Sequence, residues 1–264
     1  MNRYLLSMLL LINLFVLQTN AQISEKTSLR VLYNTTHVID TNVRENPNTD
    51  VMILYIGKTM SCFSSQAEEQ KEIRLKKFYE NNPTALETAT NFFGAPYMFY
   101  HRPKDEKYYS LSLLTGVRYS IEENYTAPKW TVSSESKNIG GYTCQKATTT
   151  FHGREWEAWF CPELAYPLGP WKLTGLPGLI LEAYDTRKEI QFGFQSLTDT
   201  SSSTIQMPDN VTKTTHRELI TAIEARYNGA GAAGPTMGTI SAVTVGAAKS
   251  GKRRVFNNFY EKKY

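Results

Sequence analysis

The residues best suited to acid–base chemistry lie close together in the sequence, at His152, Glu155, Glu157 and Glu163. A carboxylate beside a histidine could activate a water molecule, which is the chemistry of a hydrolase. Two-carboxylate catalysis needs a defined separation between the carboxyl groups, and a sequence does not specify it. The polar face of an ordinary β-strand produces the same pattern, and we favour that interpretation. A peptidase-like hydrolase built on His152 and Glu157 stays as an alternative.

Other signatures of catalysis and metal binding are missing. The histidines His37, His101, His152 and His216 are dispersed, and no C-x-x-C or H-E-x-x-H spacing occurs. The G-x-S-x-G motif of many serine hydrolases is also absent. We therefore predict no catalytic residue, no metal site and no cofactor.

The cysteines suggest disulfide chemistry. His152-Gly153, between two alternating runs, favours a two-residue hairpin loop because both residue types tolerate a positive φ. Such a loop places Cys144 opposite Cys161, at a Cα separation of about 4.5–5.5 Å that a disulfide accepts. In an exported protein a pair of this kind is more often oxidised than metal-binding or catalytic. We predict a Cys144–Cys161 disulfide and a buried free thiol at Cys62.

A loop rich in glycine and proline follows this hairpin, from Gly169 to Ile180. Proline fixes its own φ and lacks an N–H, whereas glycine can adopt a positive φ, so this backbone is bent in advance. The predicted structural motif, which fixes the entry to a strand over 179–183, consists of Gly175, Pro177, Gly178, Leu179 and Ile180.

Large apolar side chains lie between the bends of this loop. They must be buried against the sheet, a ligand or a partner. The side chains that we expect to bind an apolar ligand or a partner, secondarily to their architectural role, are Trp159, Tyr166, Trp171, Leu173 and Leu176.

Several short motifs resemble the GLPGLI family of exported bacterial proteins, whose function is not established. Residues 175–180 spell the family signature. Further matching segments, in the family's order, are Trp130, residues 141–151, Gly153-Arg154, residues 158–160 and residues 169–172. The resemblance implies export, but a family likeness without a known site supplies no mechanism.

The first residues also indicate export. Met1-Asn2-Arg3 precede an apolar run from Tyr4 to Val16, and Thr19-Asn20-Ala21 follow, as is typical of a signal peptide cleaved before Gln22. Two polar residues interrupt the run, which falls short of the ~20 apolar residues that span a membrane. Because residue 22 is not cysteine, we expect no lipid anchor. We predict a periplasmic or secreted protein, with residues 1–21 as its signal peptide.

The net charge of +4 is concentrated near the C-terminus. The charged residues there are Lys249, Lys252, Arg253, Arg254, Lys262 and Lys263, against Glu261. Their charge of +5, together with Arg3, leaves the rest of the chain at −2, so a nucleic-acid-binding face is not indicated. We interpret residues 229–264 as a Gly/Ala-rich linker and a solvated basic tail that can be removed without unfolding the domain. Peripheral contact of the tail with an anionic surface is the alternative.

Residues 22–228 are predicted to form a single antiparallel β-rich domain. Apolar runs predict strands over 29–33, 51–56, 97–101, 108–114, 117–121, 179–183 and 190–195, with one more over 239–245. Capping boxes at Ser65 and Thr215 predict helices, and Asn82-Pro83 predicts a third over 83–91. We predict a mainly β (α+β) fold, a strongly curved sheet with two or three helices packed on it. By analogy, it is the half-open barrel of periplasmic lipoprotein carriers.

The favoured function is that of an exported, non-enzymatic binding or accessory protein of the bacterial cell envelope. It would hold an apolar ligand or an outer-membrane protein partner in a groove beside the 171–180 loop. A structural subunit of an outer-membrane transporter is a further alternative.

Overall fold

The computed structural model describes residues 23–81, 97–114, 117–199 and 203–228, together with Tyr260. Within these residues the chain is mainly β, as predicted, with two α-helices and one large sheet. Three predicted segments lie outside the described residues: the signal peptide over 1–21, the helix over 83–91 and the strand over 239–245.

The strands of the described residues, in chain order, are β1 (Ser24–Lys26), β2 (Leu29–His37), β3 (Asn48–Ile56), β4 (Ser61–Ser65), β5 (Tyr97–Arg102), β6 (Lys107–Leu114), β7 (Val117–Asn124), β8 (Thr131–Ile139), β9 (Tyr142–Phe151), β10 (Arg154–Cys161), β11 (Leu179–Asp185), β12 (Ile190–Asp199), β13 (Thr204–Gln206) and β14 (Thr212–Lys213). The helices are α1 (Gln66–Asn81) and α2 (His216–Asn228), and a 3-10 turn covers Pro103–Asp105.

Twelve strands form one sheet in the order β14-β7-β6-β5-β4-β3-β2-β12-β11-β10-β9-β8, while β1 and β13 pair separately. The sheet is mixed, because β14 runs parallel to β7 and all other neighbours are antiparallel. One meander runs from β2 to β7 and a second from β8 to β12, and the pairing of β2 with β12 joins them. The sheet is not closed into a barrel.

Both predicted helix N-caps are confirmed, and the one at Thr215 is a reciprocal capping box. At the start of α1 the hydroxyl of Ser65 accepts a hydrogen bond from the backbone N–H of Glu68 at 3.3 Å. Before α2, Thr215 and Glu218 exchange side-chain hydrogen bonds with each other's backbone N–H groups at 3.3 and 3.0 Å. Leu219 then packs against Ile121 of β7, which docks α2 on the sheet as expected.

An aromatic core joins the two meanders. The ring of Phe63 on β4 makes edge contacts with Tyr33 on β2, at 6.1 Å, and with Phe192 on β12, at 5.7 Å. All three side chains are almost fully buried. Each such burial contributes roughly 1.5–3 kcal/mol to the stability of the fold. The 162–178 segment packs on this core through Trp171, Leu173 and Leu176.

One residue of the predicted tail belongs to this core. Tyr260 is 6% exposed and lies in the main hydrophobic cluster. The structure therefore differs from the expected solvated tail at this position. The Gly/Ala-rich and basic composition of the segment indicates a solvated tail, and a single aromatic residue does not change that average.

Candidate functional site

The segment after β10, residues 162–178, forms a compact loop that we call the signature loop. Its ends are pinned by backbone hydrogen bonds from Leu179 to Leu164 and from Ile180 to Leu168, both at 2.9 Å. A third bond runs from Gly175 to Pro167 at 3.0 Å. The loop therefore folds back on the strand that it precedes, and its architectural role stays a prediction.

Gly178 is the tightest point of the signature loop. A Cβ placed there would lie 2.1 Å from the carbonyl oxygen of Cys161 and 2.9 Å from the Cα of Pro162, so only glycine allows the two backbone segments to approach. Gly175 has a φ of 89°, as predicted for a bend in this loop. Trp171 also has a positive φ, of 55°, which is rare for a bulky residue and persists only where the surroundings hold it.

The surroundings of Trp171 are aromatic. Its ring is 3% exposed and contacts Trp156, Phe151 and Phe99 at centroid distances of 5.5, 5.9 and 6.5 Å. The buried indole N–H of Trp171 has no hydrogen-bond partner among the described residues. Buried polar groups are nearly always paired, so this N–H is an unusual feature of the site.

The other predicted binding residues are also largely buried. Leu173 and Leu176 lie in the core at 0% and 2% exposure. Trp159 is 8% exposed, and its outer ring face lies 4.4 Å from the ammonium group of Lys137. Tyr166 is half-buried against the same core. All five lie in or against the same hydrophobic core, and their contact with a ligand stays a prediction.

Tyr260 is held in a cradle formed by His37, Phe99, Arg154, Trp171 and Phe192, which we call the Tyr260 cradle. The Tyr260 ring stacks on Trp171 at 5.9 Å and on Phe192 at 6.2 Å. It meets the edge of Phe99 at 6.1 Å and lies 4.7 Å from the His37 ring. The Nε of Arg154 donates a hydrogen bond to the main-chain carbonyl of Tyr260 at 2.9 Å. Both the ring and the backbone of this residue are therefore recognised.

A buried ion network holds Arg154 in place. Its Nη1 lies 2.7 Å from Asp185 Oδ2 and 3.1 Å from Glu189 Oε2, and these three side chains are at most 3% exposed. Asp185 Oδ1 accepts backbone hydrogen bonds from Glu189 and Ile190 at 2.7 and 3.0 Å. Glu189 also pairs with Arg44 at the surface. Two arginines thus neutralise two carboxylates. These ion pairs fix the orientation of the Arg154 guanidinium group and therefore the direction of its Nε.

A second group of charges lies where the signature loop meets β7 and α2. The ammonium of Lys172, with a side chain 1% exposed, is 2.5 Å from Glu123 Oε2, and His216 Nε2 is 3.0 Å from Glu123 Oε1. Burial raises the pKa of Glu123, but the hydrogen bond from His216 and the charge of Lys172 outweigh it and lower the pKa to about 2. The carboxylate therefore ties the loop, the sheet and the helix together.

Next to this cluster, hydroxyl groups and aromatic rings contact residues 172–174 of the signature loop. Tyr108 donates to the carbonyl of Lys172 at 3.2 Å and lies 3.0 Å from the hydroxyl of Thr174. Trp130 donates to the Thr174 carbonyl at 2.8 Å. The ring of His101 lies against Tyr108, and neither of its nitrogen atoms has a hydrogen-bond partner in the described part of the chain. Burial lowers the pKa of His101 to about 4, so this imidazole is neutral at pH 7.

Glu157 and His152, the pair considered for acid–base catalysis, lie far apart. Glu157 Oε2 lies 3.2 Å from Lys146 Nζ, and Glu157 Oε1 accepts hydrogen bonds from Trp159 and Tyr184. His152 lies at the hairpin tip, with its ring against Trp171 at 5.5 Å, roughly 16 Å along the strand from Glu157. The structure does not bring the two together, which agrees with an ordinary polar strand face.

The predicted hairpin register is confirmed. Arg154 pairs with Phe151 and Phe160 with Gln145, so Cys161 follows opposite Cys144. His152 and Gly153 have φ values of 47° and 72°, as the two-residue loop requires. Both cysteines are buried free thiols in the structure, as is Cys62. Burial, and next the neighbouring Cys161, raise the pKa of Cys144 to about 12. The disulfide itself stays a prediction.

Two features of the site had escaped the sequence prediction. The Tyr260 cradle depends on a residue far from the hairpin, and nothing in the local pattern indicates it. Arg154 could have been found, because the confirmed register places it on the same face as Trp156 and Ala158, which are buried. A charged residue at an inward position implies a buried partner.

Comparison with known proteins adds information on the fold. No family model matches the chain, and no curated protein matches it. Solved structures of PNGF-II in two space groups are similar, one with a TM-score of 0.50 and 16% identity and the other with 0.49 and 15%. Each match covers 75% of this chain and 33% of the PNGF-II chain, so the chain spans about one third of that protein. Likeness at this identity concerns the β-rich fold alone.

None of the helices in the described part of the chain is long and apolar enough to cross a bilayer.

Proposed function

We propose that this protein is an exported, non-enzymatic binding or accessory protein of the bacterial cell envelope, related to the GLPGLI family. It holds an apolar ligand or a membrane-protein partner beside the signature loop. The observation that carries the proposal is the state of Trp171. Its ring stacks on an aromatic side chain from a distant part of the chain, and its buried N–H has no partner among the described residues. A site that already accepts one such group is suited to accepting others.

A strongly curved, half-open sheet belongs to the same proposal. In the order of the sheet, β7 and β8 are ten strand intervals apart, which is roughly 48 Å in a flat sheet. The connection from Asn124 to Thr131 spans at most about 25 Å. Curvature that brings β7 towards β8 reconciles the two lengths, and register shifts between Trp159 and Phe160 and between Phe194 and Ser196 favour bending.

Native mass spectrometry of protein purified from its own cell envelope tests the binding function. Wild-type protein should carry a lipid, peptide or subunit, and Trp171→Phe should lose most of it. Leu111→Ala is the control for a general loss of stability, because this buried side chain lies in a separate hydrophobic cluster. Equal retention in both variants would contradict a binding role for Trp171, and an unloaded wild-type protein would contradict the function itself.

We propose a hydrolase as the second candidate, and it would use the charged cluster rather than His152 and Glu157. Lys172 and His216 both lie within 3.0 Å of the Glu123 carboxylate, and the neutral His101 ring lies against Tyr108. Perturbed groups of this kind cluster at active sites. Screening with a mixed peptide substrate tests it. Turnover that disappears in Glu123→Gln and persists in Glu157→Gln would support the candidate, and turnover unaffected by Glu123→Gln would refute it.

A further inference from the structure

We propose that the Tyr260 cradle is a recognition site for a peptide carrying an aromatic residue, and that Tyr260 is its built-in occupant. This inference rests on the proposed binding function and narrows the ligand to a peptide. The chain's own residue then acts as a competitor that any external peptide must displace.

The walls of the cradle do not depend on Tyr260 for their position. Trp171 is held by Phe151 and Trp156, and Phe192 is held by Phe63 and Trp156. Trp156 and Phe192 are stacked at an interplanar angle of 16°. The supporting rings belong to β4, β9 and β10, so the slot is organised before its occupant arrives. Such preorganisation lowers the ordering cost of binding.

Ring geometry selects an aromatic side chain. Tyr260 lies almost parallel to Phe192, at 7°, and to Trp171, at 23°, while Phe99 is nearly perpendicular to it, at 81°. A flat ring can adopt these two near-parallel orientations and one near-perpendicular orientation at once, and an aliphatic side chain has no ring plane to match them. Burial, and in the second place the Asp50 carboxylate, raise the pKa of the Tyr260 hydroxyl, which therefore stays neutral.

The hydrogen bond donated by Arg154 favours a peptide over a lipid as the ligand of the cradle. Arg154 directs its Nε at a main-chain carbonyl, and its Nη1 is committed to Asp185 and Glu189. A polypeptide supplies a main-chain carbonyl acceptor for this donor, whereas an acyl chain supplies none and would lose the hydrogen bond.

Covalent attachment explains why the site is filled. An occupant tethered to the domain competes at an effective concentration on the order of mM. An external peptide of modest affinity is therefore excluded until Tyr260 is released or the ligand is abundant. The cradle would thus be autoinhibited in the free protein.

The test uses the full chain with a specific protease site inserted after Gly234, so that cleavage follows folding. The probe is a fluorescent peptide of residues 250–264, and the matched peptide carries Tyr260→Ala. We expect the native peptide to exchange into the cleaved protein, measured by anisotropy and native mass spectrometry, and the Ala peptide to bind at least tenfold more weakly. A cleaved protein with Arg154→Lys, which keeps the positive charge but loses the fork, should bind the native peptide severalfold more weakly.

Three outcomes would overturn the inference. The cleaved domain could unfold, which would make Tyr260 an integral core residue. The native peptide could fail to bind, or the two peptides could bind equally well. Each of these is distinguishable from failure of the proposed function, because a lipid or subunit could still co-purify with wild-type protein and depend on Trp171.

Discussion

Replacement of Gly178 by alanine should destabilise the protein much more than a typical Gly→Ala change. The added Cβ would lie 2.1 Å from the Cys161 carbonyl oxygen and 2.6 Å from its carbon, and both are backbone atoms that cannot rotate away. Overpacking of this kind costs about 1–3 kcal/mol. The φ of Gly178, 158°, adds backbone strain of about 1–3 kcal/mol for any other residue. We therefore expect a loss of about 2–6 kcal/mol.

Gly141→Ala is the matched control for that measurement. Its φ of 93° imposes a comparable backbone penalty, but nothing lies within 4 Å of the added Cβ. Thermal and urea unfolding of both variants should differ by about 1–3 kcal/mol, or 2–4 °C in Tm for each kcal/mol in a domain of this size. Equal losses would refute the close approach at Gly178, and the signature would then need another explanation.

Three further predictions concern the charges and the thiols. Arg154→Met should cost about 3–5 kcal/mol in urea unfolding because the buried Asp185 carboxylate loses its arginine partner; a loss below 1 kcal/mol would contradict the network. The pKa of Glu123 lies below its ordinary value of 4.5, so its contribution to stability is complete above pH 4.5 and is lost as pH falls to about 2. The stability difference between wild type and Glu123→Gln should shrink over that range, and a constant difference would contradict it. Non-reducing peptide mapping of protein from an oxidising compartment should link Cys144 to Cys161, and a link to the third cysteine would contradict the pairing.

Local patterns predicted most of the strands and both described helices. The hairpin at His152-Gly153 was predictable to the residue, because a two-residue loop fixes the register of every pair in its strands. The capping boxes at Ser65 and Thr215 were equally informative, since their hydrogen bonds join residues three positions apart. Information of this kind is contained within a few neighbouring residues.

Contacts between distant segments could not be predicted in the same way. Lys172, Glu123 and His216 come from a loop, a strand and a helix, and no periodicity relates them. The burial of Tyr260 could not be predicted either, because the composition of the surrounding sequence indicates a solvated tail. A single buried ring does not alter the average properties of a segment, although it can contribute as much free energy as a short strand.

The pairing of β2 with β12 also determines how the domain must assemble. Apart from β14 with β7, the other pairings of the large sheet join consecutive strands of the described chain, and each meander can therefore form from local contacts. Leu29 and Asp199 of the β2–β12 pair are 170 positions apart. Closing a loop of that length costs roughly 2.5 kcal/mol more entropy than closing a ten-residue hairpin. The two meanders should thus form early and pair with each other late. During synthesis, which starts at the N-terminus, the edge of β2 stays exposed until β12 has been made.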